Sequence, residues 1–596
     1  MSRLVNKDKP KKETEVTLKL NRFDLASITV FIFFSLLSFL VLFESSSDKA
    51  LISPWQVIPE KFFLLYAISA AFLFIALSRE KIGKKTKTWL IRLFYFLSFS
   101  VCLFVYKVAY GFDPFIHQAT MEFINDYGSI SPKNPYYIGQ YGIVIALHKI
   151  SGLSIAFINT WLLAVLSSLS LPLAFAKFLK EEKGNAWQMA IPAILVLGFA
   201  PFIMSAPQNL AYLFLILSLF SGLKGKSLLL SSLFAVATIC IHPLAGLPAL
   251  VFIAFSLWKK YGVKFGKKLK TISLITIFTG ASLAIPVALF TGGGESLSFS
   301  QLIISLKTLG QSVFNFDLAG RENLGLNFAY LFHFNKILFL ALIALASFFV
   351  IKKKDKINHE NLSAAYLSAI SLLMAFIISL AIKFKDVISY EQNAYSERLL
   401  LMAFIFMLPA VILTFKIVIS EILKQNNLNK IIFLVVGSSL LTASLYISYP
   451  RIDRYYNSRG YSTSYNDILA VEAIEATATG LSGDNKDYIV LANQQVSAAA
   501  LKKFGFKRYI KTTEGELYFY PIPTGGKLYE YYLKAVYEAP TKENILEAMD
   551  FAQVDKGYLV INKYWNRSAE LINEAKVEAN SWQNINDEVF VFYYKR

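Results

Sequence analysis

The sequence predicts a polytopic α-helical membrane protein with about 13 transmembrane helices and a C-terminal extracytoplasmic α/β domain. Of its 596 residues, 55% are hydrophobic and only 17% are charged. Apolar runs of about 20 residues, enough to span a bilayer core of about 30 Å, recur from residue 23 to residue 449. From residue 450 onwards the composition changes to a balanced mix of acidic and basic side chains. This composition excludes a soluble enzyme.

Thirteen apolar segments are candidate membrane spans, and most of them are joined by short loops. The candidates are 23–43, 60–78, 89–110, 153–176, 187–204, 207–222, 227–242, 244–258, 271–290, 336–351, 361–382, 397–415 and 431–449. The first of them lacks a small-residue cleavage site, so we expect it to remain as an anchor.

The distribution of Lys and Arg predicts the orientation, because basic residues near span ends stay on the cytoplasmic side. With a cytoplasmic N-terminus, the cytoplasmic segments hold thirty Lys and Arg residues, and the short external loops hold seven. We therefore expect a multi-pass protein of the cell membrane, with residues after 450 outside the cytoplasm.

Charge and cysteine content exclude further interpretations. Residues 450–596 carry 18 basic and 19 acidic side chains, so the net charge of +19 arises in the membrane part. This charge reflects the orientation bias, and we expect no nucleic-acid partner. The two cysteines, Cys102 and Cys240, both fall within candidate spans, so neither a disulfide framework nor a thiolate metal site is expected.

Residues 450–596 alternate helix-like and strand-like segments, a pattern typical of an α/β sandwich with a partly parallel sheet. The helical segments are "YNDILAVEAIEATA", "QQVSAAALKKFG", "ENILEAMDFA" and "SAELINEAKVEA", and the extended ones are "DYIVLAN", "ELYFYPIP", "GYLVINKYW" and "EVFVFYY". About 147 residues are enough for one core of this kind.

Two external loops, 111–152 and 291–335, are long enough to shape a site. The first begins "GFDPFIHQATMEF", in which Asp113 before Pro114 is typical of a helix start with the carboxylate as cap. An amphipathic interfacial helix is predicted, with Asp113 and His117 four residues apart and Glu122 on a solvated face. The alternative is that Asp113 only caps the helix and that His117 is only a solvated residue at the membrane interface.

Two further segments place ionisable groups at span ends. Glu397 and Arg398 begin the twelfth span, where a guanidinium can bind a lipid phosphate through two hydrogen bonds. Snorkelling of Arg398, or a Glu397–Arg398 pair, would also explain them. His242 lies before Pro243 at an external turn, and an ionisable group at that depth is a functional candidate, although a turn alone would explain the pair.

Common catalytic signatures are missing from the sequence. It contains no Walker loop, Rossmann glycine fingerprint, HExxH or GxSxG motif, so ATP-driven transport and the common hydrolases have no support. The energy for any reaction would have to arrive with the substrate.

The order of these features resembles the C-type (GT-C) integral-membrane glycosyltransferases. An acidic residue follows a span in "YGFDPFIHQ", the aromatic segment "NPYYIGQYGIVIALHKISGLSIAFINTW" leads into the next span, and seven spans end in the long loop 291–335. An "ER" then begins a later span, and an external domain closes the chain. The resemblance divides the chain into 1–88 (a basic tail and two additional helices), 89–335 (the GT-C-like module), 336–449 (variable helices) and 450–596.

The resemblance is to protein O-mannosyltransferase-like and aminoarabinose-transferase-like members rather than to oligosaccharyltransferase subunits. The strand "YIVLANQQVSAAA" stands where the latter carry WWDxG, and the "SAPQN" turn lacks their acidic pair. Asn-linked protein glycosylation is therefore not expected.

The resemblance implies transfer of a sugar from a polyprenyl-phosphate-linked donor to an acceptor hydroxyl on the extracytoplasmic face, with inversion. Asp113 would be the general base, and His117 would orient it or join it around a divalent cation such as Mg²⁺ or Mn²⁺. Arg398, with Glu397 beside it and Arg321 from the long loop, would hold the donor phosphate. Substrate contacts would come from Tyr136, Tyr137, Gln140, Tyr141 and His242. The acceptor would be a glycan, a lipid or a protein, and membrane lipids would surround the enzyme.

Two other functions remain open from the residues alone. A lipid or glycan transporter would place ionisable groups near the bilayer midplane, whereas the charges here gather at the external ends of spans. A membrane-anchored binding protein would use residues 450–596 as a recognition module.

Overall fold

The computed structural model describes residues 20–129, 136–179, 184–223, 227–262, 266–314, 324–334, 362–384, 392–480, 488–512, 515–522 and 525–596. In this part of the chain, eight helices are long and apolar enough to cross a membrane. They are α1 (Arg22–Glu44), α2 (Lys61–Ser78), α7 (Ile155–Leu179), α11 (Pro243–Tyr261), α12 (Lys267–Gly293), α15 (Leu362–Ser379), α16 (Ala394–Leu423) and α17 (Asn427–Ser448). A polytopic membrane protein is compatible with this arrangement.

Shorter helices lie between these eight. They are α3 (Lys84–Phe99), α4 (Val101–Val105), α5 (Asp113–Tyr127), α6 (Ile138–Ser151), α8 (Ala186–Ala193), α9 (Pro207–Gly222), α10 (Leu228–Ile241), α13 (Phe299–Phe314) and α14 (Leu324–Phe334). The strands β1 (Gly294–Leu297) and β2 (Ile382–Phe384) pair antiparallel beside α13.

Two of the predicted spans are interrupted rather than continuous. The segment predicted at 89–110 breaks at Ser100, between α3 and α4. The segment predicted at 187–204 is helical only to Ala193, after which 3₁₀ turns follow and Gly198 has a φ of +90°. Glycine tolerates that backbone conformation and a regular helix does not contain it. The span predicted at 336–351 lies outside the described residues.

A buried polar pair fixes the start of the bundle. Asn21 caps α1 by accepting a hydrogen bond from the backbone N–H of Asp24 at 2.7 Å, and the Asp24 carboxylate accepts one from the Asn21 N–H at 3.3 Å. Asp24 is fully buried and also pairs with Arg79 at 2.7 Å, just after α2. The buried carboxylate is therefore compensated, as burial requires.

The helices pack around one extended apolar core, in which α1 contacts α2, α2 contacts α17, and α16 contacts both α15 and α8. The C-terminal ends of α1 and α17 and the N-terminal ends of α2, α11 and α16 lie at the same end of the bundle. The helix α5 lies at this end too, and we call it the site end. Lys81 lies in the connection between α2 and α3, and Lys84 and Lys85 begin α3, at the opposite end.

The C-terminal residues form a four-stranded mixed sheet with the strand order β3-β6-β8-β7. The strands are β3 (Ile489–Leu491), β6 (Lys556–Asn562), β7 (Ser581–Ile585) and β8 (Val589–Lys595), and only β3 and β6 are parallel. A separate hairpin joins β4 (Tyr509–Thr512) to β5 (Gly515–Tyr518). The helices of this region are α18 (Tyr465–Gly480), α19 (Gln494–Phe504), α20 (Lys527–Tyr537), α21 (Lys542–Ala552) and α22 (Ser568–Glu578).

The C-terminal region packs directly against α5. Phe115, Ile116 and Ala119 of α5 are buried in its apolar core, and α5 contacts α19. Lys507 pairs with Asp126 at 2.8 Å, and Lys502 donates to the carbonyl oxygen of Val108 at 3.1 Å. α5 is therefore held between the helical bundle and the C-terminal core.

Candidate active site

The segment that leads into α5 is closely packed. Gly111 has a φ of +84°, and a Cβ on this residue would lie 2.7 Å from the sulfur atom of Met204. The positive φ favours glycine at this position, and a larger residue would also require the Met204 side chain to shift.

Asp113 is the first residue of α5 and not its cap. Phe112 occupies the N-cap position, and no side-chain hydrogen bond caps the helix, so the prediction that Asp113 would cap it is wrong. Pro114 follows in the first turn, where its missing N–H costs nothing. The Asp113 carboxylate is exposed, and within the described ranges no side chain forms an ion pair with it. It is therefore accessible to a ligand.

His117, one turn further along α5, is in a different environment. Its side chain is only 6% exposed, and its Nδ1 lies 2.9 Å from the hydroxyl of Tyr141 on α6. The edge of its ring also meets Tyr137, with 5.2 Å between ring centroids. The hydrogen bond to Tyr141 orients the imidazole between α5 and α6, whereas the sequence predicted a partnership with Asp113.

The four residues predicted to contact substrate on the α6 side separate into two pairs. Gln140 and Tyr141 are fully buried, whereas Tyr136 is 59% exposed and Tyr137 is partly buried. Gln140 donates to Asn159 of α7 at 2.9 Å, and Asn159 in turn reaches the Pro114 carbonyl at 3.5 Å. Gln140 and Tyr141 therefore brace α5, and Tyr136 and Tyr137 are the pair that a substrate could reach.

A close helix contact brings α6 to the junction of α10 and α11. A Cβ on Gly139 would lie 2.7 Å from the backbone of both Cys240 and Ile241. This contact lets the Tyr137 ring stack on His242, with 5.4 Å between centroids and 25° between ring planes. The sequence analysis did not single out Gly139, although a glycine between two aromatic residues of "YYIGQY" was visible there.

His242 lies between α10 and α11, in neither helix. Its Nδ1 is buried and has no hydrogen-bond partner in the described part of the chain. Burial and, second, the nearby positive charge of Arg398 lower the pKa of His242 to about 4. The imidazole is therefore neutral at pH 7, and it can donate or accept a hydrogen bond.

Arg398 belongs to the first turns of α16 and is partly buried. Its guanidinium lies 5.3 Å from the ring centroid of Tyr395 and acts electrostatically on Tyr137, His242 and Tyr212. Glu397 is exposed, and among the residues described here it forms no ion pair with Arg398. The Glu397–Arg398 ion pair, which was one structural explanation for Arg398, is thus missing from the described part of the chain.

The hydroxyl of Tyr137 is influenced by the charges of both Asp113 and Arg398. Burial raises the pKa of its hydroxyl, the charge of Asp113 raises it further, and the charge of Arg398 lowers it. Both charges act at this one hydroxyl although Asp113 and Arg398 are 285 positions apart in the sequence, a separation read from their numbers. The charges of Asp113 and Arg398 therefore both reach Tyr137, whose ring stacks on His242, and all four are residues that the sequence predicted for the site.

An apolar cavity of about 370 Å³ runs along α16 from Leu400 to Val411, shortly after Arg398 in the same helix, and we call it the α16 cavity. Asp113, Tyr137, His242 and Arg398 are not among its lining residues. Tyr212, on which the charge of Arg398 acts, lines it at one place. Its other lining residues include Leu400, Leu401, Phe404, Ile405, Leu408, Phe99, Phe175 and Phe202. A cationic group beside an apolar cavity within span-length helices is suited to a lipid with an anionic head.

Two of the remaining predictions cannot be compared with the structure. Arg321 lies outside the described residues. In the described ranges no three His, Cys, Asp or Glu side chains are grouped as metal ligands, and participation of Mg²⁺ or Mn²⁺ stays a prediction.

No protein-family model matches this chain, and no curated protein matches it. The residues of the site and their chemistry are therefore the basis for a functional assignment.

Proposed function

We propose that this protein is an integral-membrane glycosyltransferase of the C type, which transfers a sugar from a polyprenyl-phosphate-linked donor to an acceptor hydroxyl. The observation that carries the proposal is that the charges of Asp113 and Arg398 both act on Tyr137, while the lining of the α16 cavity begins at Leu400, shortly after Arg398 in the same helix. The cavity has the apolar lining that an isoprenoid chain needs, and Arg398 precedes the stretch of α16 that lines it.

Each group then has a defined chemical task. The Asp113 carboxylate takes the proton of the acceptor hydroxyl as its oxygen forms a bond to the anomeric carbon of the sugar. The bond from that carbon to the phosphate oxygen breaks, so the polyprenyl phosphate leaves with its additional negative charge. Arg398 stabilises this charge, and neutral His242 donates a hydrogen bond to it. Attack opposite the leaving group inverts the anomeric centre.

The proposal includes a topology. About 13 helices cross the cell membrane with the N-terminus in the cytoplasm, and the C-terminal α/β region and the site end face outward. The positive-inside bias of the sequence supports this orientation. Chemistry on the outer face also agrees with the missing nucleotide-binding motifs, because a lipid-linked donor carries its own leaving group.

The test is transfer by purified protein in liposomes supplied with polyprenyl-phosphate mannose or polyprenyl-phosphate aminoarabinose and with a cell-envelope extract that provides acceptor hydroxyls. Release of polyprenyl phosphate that depends on the acceptor is the measurement. Asp113→Asn keeps the shape of the side chain and removes the base, so we expect a loss of about 10²–10⁴-fold. The matched control is Asp126→Asn, which removes the same charge from the exposed far end of α5 and is expected to stay near wild type.

Two results would overturn the proposal. Asp113→Asn with wild-type turnover would remove the base. Movement of the labelled donor across the bilayer with no covalent change would instead assign a transporter, the competing function that the sequence left open.

A further inference from the structure

A second and larger cavity opens at the site end, on another side of the bundle. It measures about 940 Å³ and lies between α2, α14 and α17, and we call it the α17 groove. Its walls are aromatic, with Trp55, Phe63, Phe328 and Tyr446 among the lining residues. The Trp55 ring stacks on Tyr446 with 5.8 Å between centroids and donates its N–H to the carbonyl oxygen of the same residue at 3.2 Å. This wall is therefore preformed.

The groove descends alongside the span-length helices. Ser439, Thr442, Ala443 and Tyr446 line it from one face of α17, and this stretch rises about 10 Å at about 1.5 Å per residue. Facing them on α2 are Phe63 and Ala67, which lie within the first two turns of that helix. The deep part of the groove is thus at bilayer depth and suits an acyl chain.

The upper part of the groove is acidic. Glu60 and Asp453 line it, and the described lining includes no Lys or Arg. Asp453 is held in place, because Oδ2 accepts from the hydroxyls of Tyr330 at 2.7 Å and Tyr446 at 2.8 Å. Its Oδ1 accepts from the backbone N–H of Tyr455 at 2.8 Å. Arg451 lies behind this network and donates to the Tyr330 hydroxyl at 2.6 Å.

Glu60 differs from Asp453 in having no such partners. It precedes α2, makes no capping hydrogen bond, and is exposed. Within the described residues no basic side chain forms an ion pair with it. As far as the described residues show, the upper part of the groove therefore presents a carboxylate without an ion-pair partner beside aromatic rings, an arrangement that attracts cations both by charge and through the ring faces.

The α16 cavity and the α17 groove share no lining residue; the described lining of the first has no charged side chain, whereas that of the second includes Glu60 and Asp453. In the proposed function Arg398 would bind an anionic head near the first, whereas Glu60 and Asp453 would repel one in the second. We propose that the α17 groove binds a membrane lipid with a primary ammonium headgroup, its acyl chain lying between Phe63, Ala67 and Ala443 and its ammonium beside Glu60. This site does not depend on glycosyl transfer at the α16 cavity.

The experiment uses the full-length protein, delipidated in detergent and then mixed with phosphatidylethanolamine or with phosphatidylglycerol of identical acyl chains. Native mass spectrometry counts bound lipid, and the thermal unfolding midpoint is measured in parallel. We expect about a tenfold preference for phosphatidylethanolamine, as one hydrogen-bonded charge pair provides. Glu60→Gln should abolish the preference, and Glu44→Gln, an exposed acid at the end of α1 outside the groove, should retain it.

A second variant tests the position of the chain. Ala67→Trp fills the deep part of the groove and should reduce binding of both lipids, whereas Glu60→Gln should affect only the discrimination between them. Equal binding of the two lipids by wild-type protein, or a preference that survives Glu60→Gln, would overturn the proposal. Protection by free ethanolamine phosphate equal to that by the lipid would also overturn it, because the acyl chain would then contribute nothing.

Discussion

The two ends of α5 differ in how their acidic groups are used. At the start of the helix, Asp113 is exposed and makes no ion pair with the described residues. At the far end, Asp126 pairs with Lys507, and Glu122 accepts a hydrogen bond from Gln118 at 2.9 Å while half-buried beside Lys502. One end of the helix is anchored to the C-terminal region, and the other offers a free carboxylate.

This difference suggests that the two ends of α5, a helix of 15 residues, have different roles. The anchored end and the buried residues Phe115, Ile116 and Ala119 determine where α5 lies. The free end can then present Asp113 without needing partners of its own. Changes at the site end should therefore affect binding and turnover, whereas changes at the anchored end should affect mainly stability.

After Asp113→Asn, the largest effect is expected from removing the cation Arg398, and it should appear in donor binding. Arg398→Gln should weaken binding of polyprenyl phosphate by about 10–100-fold, since hydrogen bonds to a charged group contribute about 1.5–3 kcal/mol. Arg398→Lys keeps the charge but not the planar fork, so it should recover only part of the affinity. Binding of the lipid to protein in detergent measures both variants, with exposed Arg454→Gln as the control. Unchanged affinity in Arg398→Gln would separate Arg398 from the donor.

A smaller effect is expected from a substitution of Gly139, at the helix contact that lets Tyr137 stack on His242. In Gly139→Ala the new methyl group would lie 2.7 Å from the Cys240 and Ile241 backbone, so α6 must move away from α10. Overpacking of this kind costs about 1–3 kcal/mol, and both the thermal midpoint and turnover should fall. Gly142→Ala is the matched control, because a Cβ there meets nothing within 4 Å on the same helix. Equal behaviour of the two variants would contradict the assigned role of Gly139.

Local sequence patterns predicted the positions of many helices and strands. The apolar runs coincide with α1, α2, α7, α12 and α17, and "ENILEAMDFA" and "EVFVFYY" coincide with α21 and β8. These elements could be predicted because each depends on its own periodicity. The helix α20 and the strand β7 were not anticipated; β7 is largely exposed and lacks the alternation of a half-buried strand.

The site residues were predicted by position, and their environments were not. The charges of Asp113 and Arg398 both act on Tyr137, and that of Arg398 acts on His242, while the catalytic and binding roles of these residues stay predictions. The burial of His117 by Tyr141 and of Glu122 by α19 depends on long-range packing, so helical periodicity alone indicated a solvated face for Glu122. Burial of this kind has no local sequence signal.

The anchored end offers a pH-dependent prediction. Burial is the largest influence on Glu122 and raises the pKa of its carboxyl, against the opposing charges of Lys507 and Lys502. Between the ordinary pKa and this raised one, the folded protein holds a proton that the unfolded chain has released. Stability should therefore fall as pH rises through that window, and Glu122→Gln should lose this fall and be more stable at neutral pH. Thermal midpoints from pH 4 to pH 8 test this, and a parallel pH profile in the variant would contradict it.

The smallest effect is expected from the ion pair between Lys507 and Asp126, whose side chains are 52% and 40% exposed. A double-mutant cycle of Lys507→Ala and Asp126→Ala, followed by thermal unfolding, should give a coupling of about 0.2–1 kcal/mol that decreases with salt. Turnover should be unchanged in both variants, because the apolar contacts of Ile116 and Ala119 continue to hold α5 in place. A large loss of turnover in either variant would mean that the charges, and not the apolar contacts, position Asp113.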